Sequence, residues 1–143
     1  MATVHVTKSV EVPAAPADVW AFVSDFAGFA SWQPHIESVE MLPNNERKVV
    51  FTRGDTKLDR VTSRDDQAMT YSYGLVPGQP TPPGMPSIDR IDATFTVQPA
   101  GSGSTVEYSI EADVPDPMEE MAKQGITGDI DGALSGLTQH FAS

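Results

Sequence analysis

The sequence predicts an α+β domain in which one antiparallel sheet is followed by a carboxyl-terminal helix. Two late segments, Ile91–Val97 and Val106–Asp113, alternate between apolar and polar side chains, which is typical of strands with one buried face. A helix is indicated at Pro16–Asp25, where a proline stands at the first helical position without losing a hydrogen bond. A second helix start follows the last strand, after Pro115. Strands and helices in this order predict an antiparallel sheet with helices packed on one face.

The amino-terminal half supplies the first elements of this domain. Thr3–Val12 alternates loosely and predicts the first strand, and the prolines that follow it end the pairing. Within the first helix, four apolar residues share one face: Val19, Phe22, Val23 and Phe26. Ile36–Leu42 and Lys48–Arg53 predict strands two and three, joined by the turn residues Pro43-Asn44-Asn45.

The remaining elements run from residue 54 to the carboxyl terminus. Gly54-Asp55 predicts a hairpin turn into strand four, Thr56–Ser63, and strand five follows at Met69–Leu75. A polar turn at Pro99–Ser104 joins strands six and seven. Asp116, Pro117 and Glu119 are a cap, a first-turn proline and a first-turn acid, and they begin the terminal helix.

Several glycines disturb the terminal helix. Ile126, Ile130, Ala133, Leu134, Leu137 and Phe141 form one apolar stripe, while Gly128, Gly132 and Gly136 lie on the opposite side. Each glycine costs about 1 kcal/mol relative to alanine inside a helix. We therefore expect a kink or break at 124–127, with a glycine face that is either exposed or packed closely on a partner.

Composition limits the classes of partner. The chain has 143 residues, which predicts a single domain over 1–143, and its net charge of −11 disfavours nucleic acid and anionic membranes as partners. It contains no cysteine, so disulfides and thiolate chemistry are excluded. The amino terminus has neither a basic lead nor an apolar leader segment, and no apolar run approaches membrane-spanning length. A cytoplasmic protein, either a monomer or a homodimer, is the resulting expectation.

The first forty residues resemble the SRPBCC family (polyketide cyclase/dehydrase type) of the START and birch-allergen superfamily. The resemblance rests on Pro16-Ala17-Asp18-Val19-Trp20, Asp25-Phe26 and Trp32-Gln33-Pro34, which follow a first strand and precede a second one. It implies a helix-grip fold, in which a curved antiparallel sheet of about seven strands wraps round the last helix and two short helices follow strand one. It also implies an internal cavity for a polyketide-, aromatic-, lipid- or isoprenoid-like molecule.

No catalytic or cofactor motif is present in the chain. There is no nucleophile elbow, no metalloprotease helix and no phosphate-binding glycine loop, and the three histidines are far apart. We therefore expect neither a metal nor a cofactor. Tyr71 and Tyr73 share one face of strand five, where they either line the cavity as proton-handling residues or serve as ordinary core.

The segment that begins at Gly54 resembles the family's glycine-led strand, in which an acidic residue often faces the cavity. The resemblance would place Lys57 and Asp59 inward and Arg60 outward. A carboxylate in that position acts either as a proton acceptor or as half of a solvated ion pair across strands.

Further ligand contacts are predicted around the cavity. Phe29, Trp32 and His35 cluster where the family has its cavity mouth, and they form either an aromatic gate or a core plug. The proline-rich loop 76–87 is either a gate with Met85 at its tip or a rigid connector. The apolar faces of the late strands and the last helix complete the predicted lining with Ile91, Phe95, Tyr108, Ile130 and Leu134.

The function predicted is the binding of a small hydrophobic or aromatic molecule. If the protein is an enzyme, the resemblance implies cyclisation or dehydration, a lyase-type reaction in which Asp59, Tyr71 and Tyr73 handle protons. The alternatives are a carrier or sensor without turnover, and a protein-interaction module that uses the acidic carboxyl-terminal half or the glycine face of the terminal helix.

Overall fold

A computed structural model describes residues 2–52, 54–76 and 90–141. Within them, seven strands and two α-helices follow one another in the predicted order. The strands are β1 (Ala2–Val12), β2 (Ile36–Met41), β3 (Glu46–Phe51), β4 (Thr56–Asp65), β5 (Thr70–Leu75), β6 (Arg90–Ala100) and β7 (Gly103–Val114). The helices are α1 (Pro16–Val23) and α2 (Glu119–Phe141), with short 3₁₀ helices at Phe26–Ser31, Pro43–Asn45 and Asp116–Met118.

All seven strands form one curved antiparallel sheet in the order β1-β7-β6-β5-β4-β3-β2. The first strand therefore pairs with the last one, and β1 and β2 are the two edges. Helix α2 packs against β1 and β7 on the face that carries the apolar side chains. The predicted α+β helix-grip fold is confirmed.

The core lies between the inner sheet face and the helices, as the alternation predicts. Ala93, Phe95 and Val97 of β6 are buried, and so is the matching apolar set of β7. The helix stripe is buried as well from Ile126 to Leu137, and its last residue, Phe141, is half-buried. Because the buried residues on both sides of this contact are mainly apolar, burial of the stripe supplies the main force that holds α2 on the sheet.

Several element limits differ from the sequence prediction, and two of these differences change the local structure. The predicted turn at Pro99–Ser104 is shorter, since β6 and β7 continue to Ala100 and from Gly103. Gly101 takes a left-handed φ of +57°, which allows so tight a turn. Strand β3 begins at Glu46 rather than at Lys48, and this earlier start brings Arg47 into the sheet.

The expected break at 124–127 is wrong, because α2 is continuous from Glu119 to Phe141. The buried stripe holds the helix together despite its glycines, since tertiary packing outweighs intrinsic propensity. Asp116, predicted as the helix cap, instead begins a 3₁₀ turn in which the Met118 N–H donates to the Pro115 carbonyl over 2.9 Å.

Part of the glycine side of α2 packs on the chain itself. A Cβ added at Gly136 would lie 1.6 Å from the Trp32 carbonyl oxygen, and one at Gly132 would lie 3.3 Å from His35 Nδ1. By contrast, Gly125 and Gly128 have no such neighbour within 4 Å among the described residues. The close approach at Gly136 fixes the segment between the 3₁₀ helix and β2 against α2.

The remaining sequence predictions concern the proline-rich loop and membrane-spanning segments. Met85 and the proline-rich loop, apart from Val76, lie outside the described residues. Among the helices of the described ranges, none combines the length and the apolar character needed to cross a membrane.

Candidate functional site

An internal cavity of about 60 Å³ lies between the inner face of the sheet, the 3₁₀ helix at Phe26–Ser31 and α2. Most of its wall is apolar. The aromatic and aliphatic lining consists of Phe29, Ile36, Val49, Phe51, Tyr73, Gly74, Leu75, Ile91, Ala93, Tyr108, Ile110 and Ile126. The more polar lining consists of Gln33, His35, Arg47, Lys57, Asp59 and Asp129. A mainly apolar wall with a few polar groups is the usual composition of a small-molecule site.

A buried ion pair dominates the polar part of this wall. Arg47 and Asp59 are directly opposed on β3 and β4, and their side chains are only 2 % and 9 % exposed. The guanidinium Nε donates to Asp59 Oδ1 over 2.5 Å, and Nη2 donates to Oδ2 over 3.1 Å. This two-point contact matches the planar fork of arginine to both carboxylate oxygens, so each charge is compensated inside the protein.

The other side of the Arg47 guanidinium is also occupied. Its Nη1 donates to the Phe26 carbonyl over 2.6 Å. The guanidinium carbon lies 3.5 Å from the centre of the Phe26 ring and 4.2 Å from that of Phe29, which are cation–π distances. Arg47 therefore ties the sheet to the 3₁₀ helix.

Burial and the neighbouring charge act in opposite directions on this pair. Burial raises the pKa of the Asp59 carboxyl, and the hydrogen bonds and charge of Arg47 work against that shift. For Arg47, burial disfavours the charged form, but Asp59 outweighs it and raises the pKa of the guanidinium. Arg47 is consequently protonated at every accessible pH, and both oxygens of the Asp59 carboxylate accept its hydrogen bonds.

Two tyrosine hydroxyls meet in the same cavity. Tyr73 on β5 and Tyr108 on β7 hydrogen bond to each other, and both side chains are buried. Burial raises the pKa of Tyr73 to about 12 and that of Tyr108 well above its usual value. Both phenols are therefore neutral at physiological pH and act as hydrogen-bond donors rather than as bases.

Tyr71 is buried on the same face of β5, but its hydroxyl points elsewhere. It donates to the Val23 carbonyl over 2.6 Å at the end of α1. Tyr71 is absent from the lining of the cavity, and its ring packs against Trp20 and Phe95. This placement corresponds to the core alternative for Tyr71, whereas Tyr73 reaches the cavity.

Gln33 reaches the cavity from a turn that the backbone holds firmly. The Gln33 N–H donates to the Phe29 carbonyl over 2.9 Å, and the Gln33 carbonyl accepts from Ile36 N over 3.1 Å. Its neighbours Trp32 and Pro34 lie against Gly136 of α2. Gln33 is only 2 % exposed, and its Nε2 has no hydrogen-bond partner among the described residues.

The structure brings about half of the sequence-predicted site residues together at this cavity. Those in its wall are Phe29, His35, Lys57, Asp59, Tyr73, Ile91 and Tyr108. Three others, Trp32, Phe95 and Ile130, are buried but do not line it, and Leu134 lines a separate, more open groove between β1 and α2. Trp32 packs against three aromatic rings, those of Phe22, Phe29 and Phe95, which is the packing expected of a core plug.

Among the polar lining residues, sequence reasoning missed Arg47, Gln33 and Asp129. Arg47 alternates with Val49 and Phe51, and this pattern would have placed it on the inner face had strand three been started two residues earlier. Gln33 stands in an irregular turn, where no periodicity indicates the direction of a side chain.

Comparison with known proteins extends these observations. The model of the family described as polyketide cyclase / dehydrase and lipid transport matches residues 3–142. No curated protein matches the chain.

Several solved structures have the same fold. XoxI from Bacillus cereus is 25 % identical with a TM-score of 0.84, and the match covers 96 % of this chain and 95 % of XoxI. The Zhui aromatase/cyclase from Streptomyces sp. R1128 is 16 % identical with a TM-score of 0.82, over 97 % of this chain and 93 % of that one. A START superfamily protein from Mycobacterium smegmatis is 18 % identical with a TM-score of 0.79, over 96 % of both chains.

The family match spans nearly the whole chain, and the fold with its internal cavity agrees with it. The chain therefore belongs to the polyketide cyclase/dehydrase and lipid transport family, and the SRPBCC resemblance is confirmed.

Proposed function

We propose that this protein binds a neutral, mainly apolar small molecule in the internal cavity, as a carrier or sensor. The observation that carries the proposal is the composition of the cavity wall, which is largely aromatic and aliphatic. Its described lining contains two basic side chains, Arg47 and Lys57, and two acidic ones, Asp59 and Asp129. Because these charges balance, the cavity offers no excess charge for an ionic ligand, and an apolar molecule gains most from entering it.

Binding a ring-sized ligand requires the cavity to widen. A cavity of about 150 Å³ accommodates benzene, whereas this one encloses about 60 Å³. Ile126 of α2 and Leu75 of β5 stand in its wall, so an outward movement of either side chain would enlarge it. Since binding includes this rearrangement, we expect association rates below those of a preformed site.

The enzyme alternative finds less support than the carrier. Asp59 is held by two hydrogen bonds from Arg47, and the Tyr71 hydroxyl donates to Val23. Two of the three predicted proton-handling groups are thus engaged in structural contacts. Tyr73 retains a role as a hydrogen-bond donor to a ligand oxygen, because burial raises its pKa and keeps the phenol protonated.

A titration with neutral and charged probes tests the proposal. Tetralin, a neutral bicyclic hydrocarbon, is added to methyl-labelled protein, and NMR follows the isoleucine methyls of the wall. We expect saturable shifts at Ile91, Ile110 and Ile126, and weak or no binding of naphthalene-1-sulfonate. Native mass spectrometry of the purified protein checks in parallel for a retained apolar compound.

A cavity-filling variant and a matched control complete this test. Ala93→Val adds two methyl groups at a buried position in the cavity wall, and should abolish tetralin binding while the protein stays folded. Gln98→Val makes a similar apolar change at an exposed site on the same strand and should bind as the wild type does. If tetralin fails to bind the wild type, or binds both variants equally, the proposal is wrong, and the result favours a protein-interaction module.

A further inference from the structure

We infer that Gln33 selects the ligand, and that the ligand carries a carbonyl oxygen which accepts a hydrogen bond from Gln33 Nε2. This inference rests on the proposed function and specifies the chemistry of the molecule bound. It starts from a polar group that folding alone does not explain. A buried amide nitrogen without a partner destabilises the folded state, and methionine would fill a similar volume without that cost.

The position of Gln33 suits recognition. It lines the cavity, and both backbone hydrogen bonds of its turn hold it in place. The contact of Gly136 with the Trp32 carbonyl secures the same turn from the side of α2. Because the side chain on this fixed backbone is also buried, it has little rotamer freedom left to lose when a ligand binds, and its amide is preorganised.

Trp32 offers a useful contrast. Its Nε1 also lacks a partner within the described ranges, but its side chain is not part of the cavity wall. A ligand in the cavity can reach Gln33 and not Trp32.

A second donor in the cavity points to the same ligand chemistry. The Tyr73 and Tyr108 hydroxyls together carry two protons, and only one of them is used in the bond between the two oxygens. In the described part of the chain, no further hydrogen bond of either hydroxyl is seen, so one O–H proton remains to be donated. Gln33 Nε2 and the tyrosine pair are both donors, and a ligand oxygen that accepts is their complement.

The nearby ion pair disfavours a carboxylate as that oxygen. The Nε and Nη2 groups of Arg47 bind Asp59, and Nη1 binds the Phe26 carbonyl. An anionic ligand would have to displace Asp59 to be neutralised by Arg47. Since the two basic and two acidic side chains of the wall also balance, the ligand class inferred is a neutral ketone or ester with an apolar body.

The test compares two probes of nearly equal size, 1-tetralone and tetralin, which differ by one carbonyl group. We expect the wild type to bind tetralone about tenfold more tightly, the difference of one net hydrogen bond. Gln33→Met should remove most of this preference by weakening tetralone alone. A purely structural role of Gln33 would change the binding of both probes together and leave their ratio unaltered.

A measurement on the wild type removes any dependence on how the variants fold. Tetralone should shift the side-chain amide resonances of Gln33 in ¹⁵N-labelled protein, and tetralin should shift them much less. If the wild type binds tetralin but shows no preference for tetralone, or if Gln33→Met keeps the preference, the inference is wrong and the proposed function stands. If neither probe binds, the proposed function itself fails.

Discussion

The close contact between α2 and the Trp32–Pro34 segment predicts a large effect of a small substitution, Gly136→Ala. The added Cβ would lie 1.6 Å from the Trp32 carbonyl oxygen and 2.9 Å from its carbon, so helix and turn must separate by about 1.5 Å. Overpacking of this kind costs about 1–3 kcal/mol and sometimes more, while alanine regains about 1 kcal/mol of helix propensity. Because the obstacle is backbone rather than a flexible side chain, we expect a cost at the upper end, about 3 kcal/mol or more, and hence a net loss of about 2 kcal/mol or more.

Gly128→Ala is the matched control in the same helix. A Cβ at Gly128 meets no described atom within 4 Å, so only the propensity gain of about 1 kcal/mol remains. At roughly 3 °C per kcal/mol for a domain of this size, Gly136→Ala should lower Tm by about 6 °C and Gly128→Ala should raise it by about 3 °C. Urea unfolding and thermal melts followed by circular dichroism measure both changes. If Gly136→Ala is as stable as the wild type, or both variants shift Tm in the same direction, the packing described here is incorrect.

Three further predictions concern the buried polar groups. Asp59→Asn should lower the free energy of unfolding in urea by about 3–5 kcal/mol, since it leaves the Arg47 charge buried and uncompensated. Arg47→Met combined with Asp59→Leu should recover much of that loss. A cost below about 1 kcal/mol for Asp59→Asn would contradict the buried pair. Tyr71→Phe should lower the free energy of unfolding by about 1 kcal/mol, because it removes the hydrogen bond to the Val23 carbonyl, and should leave tetralin affinity unchanged. A loss of tetralin binding in a folded variant would place Tyr71 at the site. Between pH 10 and about 12 the tyrosines ionise in the unfolded chain, while Tyr73 stays protonated in the folded protein. The stabilising contribution of buried Tyr73 is complete below pH 10 and falls by about 1.4 kcal/mol per pH unit above it. Absorbance at 295 nm should therefore rise only as the protein unfolds, and normal titration near pH 10 in the folded state would refute the burial.

Residues in regular elements were predictable because periodicity indicates which face they occupy. The alternation of β6 placed Ala93 and Phe95 inward, and the spacing of α2 placed Ile126 inward. The same reasoning put Tyr71 and Tyr73 on one face of β5. It gave no information on the hydroxyl directions, which depend on whether α1 or β7 presents the nearest polar group.

Other features depended on contacts that are distant in sequence. The glycines of α2 indicated a weak helix when considered alone, and the packing of Gly136 on Trp32 gives one of them a positive role. Arg47 was missed because its strand was started too late, and Gln33 was missed because a turn has no periodic pattern. Their place in the cavity wall follows only from the tertiary structure, in which the sheet and α2 surround the cavity.

The pairing of β1 with β7 has a consequence for the synthesis of the chain. Thr3 and Asp113 are hydrogen bonded across 110 residues, so the first strand has no partner until the last strand has left the ribosome. At about 5–20 residues per second, this delay amounts to roughly 5 to 20 s. During that time Val4, Val6 and Val10 belong to an unpaired edge segment that a chaperone could bind. The pairing of β1 with β7, and the packing of α2 against these two strands, are therefore expected to come late in folding.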